Sequence, residues 1–139
     1  MNPAARYLVF HGAIVLLFGL MLGAPYARAI KRNAAIHIVN AWRVAHLSLP
    51  IGAILMFSIA ALLPALSVAM QIQWGISIAL IVSAYGFCLS TSLAAMTGER
   101  GLSSGGKGIG KLVYFGNLIG AVFSIMAAGI LLYAAFVSL

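Results

Sequence analysis

One acidic side chain, Glu99, serves the whole 139-residue chain, and aspartate is absent. Acid–base work by paired carboxylates is therefore excluded. So are a Ser-His-Asp triad and a bundle that binds two metals through carboxylates. A single cysteine, Cys88, rules out an internal disulfide. It falls within an apolar run, where cysteine behaves as a small buried hydrophobe. Charge of either sign is scarce. Only 6% of residues are charged and 64% are hydrophobic, whereas soluble domains have roughly 25% charged and 45–50% apolar residues. This is the composition of an integral membrane protein with little outside the bilayer.

The net charge of +7 would suit nucleic acid, but no basic face with interleaved aromatics accompanies it. Topology explains it better. The sequence predicts a single domain, residues 1–139, built as an all-α antiparallel bundle of four membrane-spanning helices at about 7–24, 38–66, 74–97 and 111–136. The first apolar run is too long for a signal-peptide h-region, and only Arg6 precedes it. Arg28, Lys31 and Arg32 lie in loop 1–2, while Arg100, Lys107 and Lys111 lie in or beside loop 3–4. Arg43 sits at the same end and loop 2–3 carries no charge. The positive-inside rule then makes loops 1–2 and 3–4 cytoplasmic and sends both termini to the periplasm of a bacterial-type inner membrane. Residues 101–107 superficially fit a phosphate-binding loop. Gly108 stands where a metal-binding hydroxyl belongs, so the stretch reads as a turn.

Small residues mark helix-packing faces. Gly19 and Gly23 form one G-x-x-x-G pair, and Gly116, Gly120, Ser124 and Ala128 form a stripe with a spacing of four. Hydroxyls on the third helix, among them Ser83, Ser90, Thr91 and Ser92, suit bonds to backbone or to a neighbouring helix. His11, one to two turns into the first span, suits a backbone partner, and Asn117 suits structural glue in the fourth.

The chemistry concentrates in Asn40–Pro50, N-A-W-R-V-A-H-L-S-L-P. Ionisable groups at membrane depth are costly and usually mark a site. Arg43 and His46 are three apart, on one helical face. Pro50 cannot donate to the His46 carbonyl, which favours a kink. Trp42 is an interfacial residue type. One histidine is enough to hold a haem iron. In that reading His46 is the ligand, Arg43 pairs with a propionate, and Gly52 and Ala53 leave room for a flat ring. The other reading bonds His46 to a neighbouring helix and lets Arg43 snorkel to phosphate.

W-R-V-A-H at Trp42–His46, L-P at Leu63–Pro64, R-G-L at Arg100–Leu102, H-G at His11–Gly12 and L-L-F-G at Leu16–Gly19 resemble styrene oxide isomerase, over about residues 7 to 135. The resemblance implies a trimer of four-helix subunits with haem b at the subunit interfaces. It makes His46 the axial ligand, as the histidine of R-x-A-H. Ferric iron there acts as a Lewis acid on an aryl epoxide, which rearranges to an aldehyde. Three positions depart from that family. Gly52 stands in place of an asparagine, Thr91 in place of a substrate-positioning tyrosine, and Ser83 in place of an aspartate. Tyr85 and Asn117 are the available substitutes, alongside Thr91, for orienting substrate. F-H-G at Phe10–Gly12, A-H-L at Ala45–Leu47 and Y-G at Tyr85–Gly86 also resemble hydroxylaminobenzene mutase. Three functions follow: a haem-dependent membrane isomerase of a small apolar aromatic substrate, a mutase of arylhydroxylamines, and a non-catalytic haem protein for sensing or electron transfer.

Overall fold

The computed structural model describes residues 2–99, 101 and 108–139. Five helices run through it: α1 (Pro3–Met21), α2 (Gly23–Lys31), α3 (Ile36–Leu62), α4 (Met70–Thr97) and α5 (Ile109–Phe136), with one 3₁₀ turn at Leu63–Ala65. Four spans are long and apolar enough to cross a membrane, and α1 with α2 forms the first, Pro3–Lys31.

The first helix begins earlier than hydropathy places it. Asn2 caps it, its side chain accepting from the Ala5 N–H at 2.8 Å. Pro3 occupies the first turn, where no N–H is needed. Pro25 does not end the span as expected. It lies in the first turn of α2, where its missing N–H costs little. The break falls at Leu22, and loop 1–2 shrinks to the few residues after Lys31. Pro50 lies inside α3, which continues to Leu62. At the end of α4, Gly98 adopts φ +76° and its N–H bonds the Ala94 carbonyl at 2.8 Å. A left-handed cap of this kind favours glycine.

Two polar contacts fix which ends lie together. Asn2 donates to Gln73 at the start of α4, and the Ser67 N–H bonds Ser138 near the C-terminus at 2.9 Å. Both termini and the turn after α3 therefore share one end. Arg28, Lys31, Arg32 and Lys111 lie towards the other.

The core joins α1, α3 and α4 through Leu8, Val15, Met56 and Ile76, all essentially inaccessible. Glycines set how closely α1 approaches α3. A β-carbon at Gly12 would lie 2.8 Å from the Phe57 ring, and one at Gly19 2.6 Å from Pro50 Cδ. The G-x-x-x-G pair thus packs within the chain. α5 rests mainly on α4, its most extensive neighbour. Gly116 meets Ser90 and Gly120 meets the Phe87 ring. The expected packing face, within or between subunits, lies within the subunit at these two positions, and beyond them the stripe turns outward. Ala127 and Ala134 continue the buried line, whereas Ala128 is exposed. A spacing of four drifts by about 40° per step on a 3.6-residue helix, so the buried face moves off Ser124 and Ala128.

Candidate functional site

His46 lies on α3, half-buried against the α1–α2 junction. Its Nδ1 is 2.9 Å from the Gly19 carbonyl oxygen. A carbonyl only accepts, so Nδ1 carries a proton, and in the neutral ring the lone pair is then on Nε2. Gly19 is in the last turn of α1, where carbonyls lack a helical partner. The break at Leu22 therefore creates the acceptor that orients the imidazole. Gly23 admits the ring, since a β-carbon there would lie 3.0 Å from His46 Cε1. The Tyr26 ring centroid lies 6.1 Å from that of His46.

This arrangement suits an axial haem ligand. Metal-bound histidines usually donate their second ring nitrogen to a carbonyl or carboxylate, which fixes tautomer and orientation. Among the described residues no three of His, Cys, Asp and Glu converge. A macrocycle that supplies its own equatorial nitrogens needs only one such ligand. Arg43 is exposed one turn before His46, and Trp42 is half-buried against the core. Ala53 is fully buried in the core and leaves no room beside the ring. Gly52 opens onto space, with nothing within 4 Å of a β-carbon.

A second feature lies across α3. His37, Asn40, Ala41 and Val44 line a cavity of about 430 Å³ that Thr91, Ala94 and Glu99 of the α4 end and Asn117 of α5 complete. At about 100° per residue, His37, Ala41 and Val44 stand some 140–200° around the helix from His46. Gly52 aligns with Ala41, about three turns further along the helix. The His46 face and the cavity face of α3 thus point in opposite directions.

The three candidates for orienting substrate separate. Thr91 and Asn117 share the cavity. The Thr91 hydroxyl donates to the Phe87 carbonyl at 2.6 Å. Tyr85 lies elsewhere, its hydroxyl 2.9 Å from His11 Nδ1, between α4 and α1. His11 therefore has a side-chain partner, not the expected backbone one. Ser83 is buried and donates to the Gly120 carbonyl at 2.7 Å, tying α4 to α5. Asn40, His37 and Glu99 were not singled out for this cavity from sequence. The available signal was Asn40 and His37 within four residues of each other in the turn before Arg43. Residues 100 and 102–107, where most of the phosphate-loop pattern and of R-G-L fall, lie outside the described residues.

A protein-family model described as styrene oxide isomerase matches residues 4–136. No curated protein matches the chain. The family match covers all four spans, including both faces of α3.

Proposed function

The chain belongs to the styrene oxide isomerase family, and on that premise we propose that it is a haem b-binding membrane isomerase with His46 as the axial ligand. The observation that carries this reading is the Nδ1–Gly19 carbonyl bond, which leaves Nε2 free on an oriented ring. Ferric haem, when bound, supplies a Lewis acid for the oxygen of an aryl epoxide. The rest falls to the polypeptide. His46 would hold the metal, and exposed Arg43 would pair with a propionate. Trp42 and Gly52 border the remaining space. Asn117 is the orienting side chain whose amide is not already engaged, because Thr91 bonds Phe87 and Tyr85 bonds His11. Apolar helix faces keep bulk water from the substrate.

The opposed faces of α3 support a ring of copies. A heterologous interface joins one face of a protomer to a different face of the next, and it closes when the rotation allows. A homotrimer of this kind sets His46 of one copy towards the cavity of its neighbour and places haem at the interface. The charge distribution supports a topology with the termini in the periplasm and the Arg/Lys-rich end in the cytoplasm of a bacterial-type inner membrane.

The test is an absorption spectrum of detergent-purified protein, followed by turnover of styrene oxide and phenylhydroxylamine. Wild type should show a Soret band that His46→Ala abolishes without loss of membrane insertion. Full haem content in His46→Ala overturns the ligand. Haem saturation with a six-coordinate low-spin spectrum and no conversion of either substrate overturns the isomerase.

A further inference from the structure

The cavity holds two amides that no other described residue bonds. Asn40 on α3 and Asn117 on α5 both reach it. Neither makes a hydrogen bond to another described residue, whereas Ser83, Thr91 and Thr97 all do. An amide carries two donors and an acceptor. Both side chains are half-buried, and an amide drawn partly out of water is costly to leave unpaired. Polar side chains within a membrane bundle ordinarily find a partner on a neighbouring helix. Here the two face open space, on either side of α4. Ala41, Val44 and Ala94 supply an apolar wall between them.

We propose that Asn40 and Asn117 determine specificity by selecting a neutral aromatic substrate that carries a hydrogen-bonding group besides the reacting oxygen. This rests on the cavity being the substrate half of the site proposed above. An unsubstituted aryl epoxide has a single acceptor atom, the oxygen that a haem iron would take, and it cannot satisfy both amides. A hydroxyl or amino substituent accepts from one amide and donates to the other. Sites built to hydrogen-bond a substituent reject the analogue that lacks it far more strongly than apolar pockets reject a missing methylene.

The experiment is equilibrium dialysis of toluene, benzyl alcohol and para-hydroxybenzyl alcohol against the purified holoprotein, corrected for uptake by protein-free micelles. Wild type should prefer para-hydroxybenzyl alcohol, relative to toluene, by about 10-fold or more. Asn40→Ala and Asn117→Ala should each reduce that preference by about 3- to 10-fold without weakening toluene binding. Asn117→Gln, which retains an amide, should recover part of it. An equal preference in wild type and both alanine variants overturns the proposal. Probe binding does not require turnover, so the two readings fail separately. Loss of the Soret band and of turnover with the preference intact sinks the isomerase reading alone. Intact haem and turnover with no preference sinks this one alone.

Discussion

The carbonyl of Gly19 and the imidazole of His46 meet at 2.9 Å across 27 residues of chain. The contact depends on two glycines. A methyl group at position 19 would lie 2.6 Å from Pro50 Cδ and 2.9 Å from Leu49 Cβ, and one at position 23 would lie 3.0 Å from His46 Cε1.

Gly19→Ala should therefore push α1 off α3 at a cost of about 1–3 kcal/mol and lengthen the bond that orients His46. Gly23→Ala should press on the ring directly with a smaller loss of stability. Thermal unfolding in detergent and Soret absorbance per mole of protein measure the two effects. Both variants should bind less haem, but only Gly19→Ala should melt markedly lower. Full haem occupancy in both would show that the close packing does not serve the site.

On α5 the prediction separates packing inside the subunit from packing outside it. Gly120→Leu places a side chain into the Phe87 ring, which already lies 2.8 Å from a β-carbon at that position. It should destabilise the chain by about 1–3 kcal/mol or more. Ala128→Leu points away from the subunit core and should leave the monomer's fold intact. A change in oligomeric state on native mass spectrometry in Ala128→Leu alone would place a subunit contact there. Equal destabilisation by both would contradict the α5 register.

Much of this fold is legible from hydropathy, because each of the four runs is long enough to cross a bilayer. Asn2 and Pro3 form a readable helix start, although it lies outside the apolar run that drew the boundary. The break at Leu22 is not readable, since leucine is no breaker and the nearer signal, Pro25, points to a stop that a helix's first turn does not need. His46 stands out because a histidine at membrane depth is rare. Its partner does not, because a backbone carbonyl carries no residue-type signal. The cavity is a tertiary fact. Asn40, Thr91 and Asn117 come from three helices, and periodicity along one helix says nothing about what converges between them.

The His11–Tyr85 bond joins α1 to α4 away from the cavity. Tyr85→Phe should cost about 0.6 kcal/mol, the average for such bonds between membrane helices. Its effect on turnover should be much smaller than that of Asn117→Ala. A loss of kcat/KM in Tyr85→Phe as large as in Asn117→Ala would make Tyr85 an orienting residue after all.

The strongest test of how the departures from the family act is to reverse one. Gly52 stands where styrene oxide isomerases place an asparagine, and nothing lies within 4 Å of a β-carbon built there. Gly52→Asn should therefore fit without displacing α3. Asparagine is also a somewhat better helix former than glycine, so stability should hold or rise by a few tenths of a kcal/mol. Gly52 shares the cavity-side line of α3 with Ala41, so the new amide reaches open space on that side and not the core behind His46. One added hydrogen bond to the reacting oxygen is worth about 0.5–1.5 kcal/mol, which predicts a rise of roughly 2- to 10-fold in kcat/KM for styrene oxide. Gly52→Leu fills the same space without a donor and should give no rise. Equal gains from asparagine and leucine would assign the effect to packing. No gain from asparagine, with haem content and melting temperature unchanged, would mean that position 52 does not face the substrate in this chain.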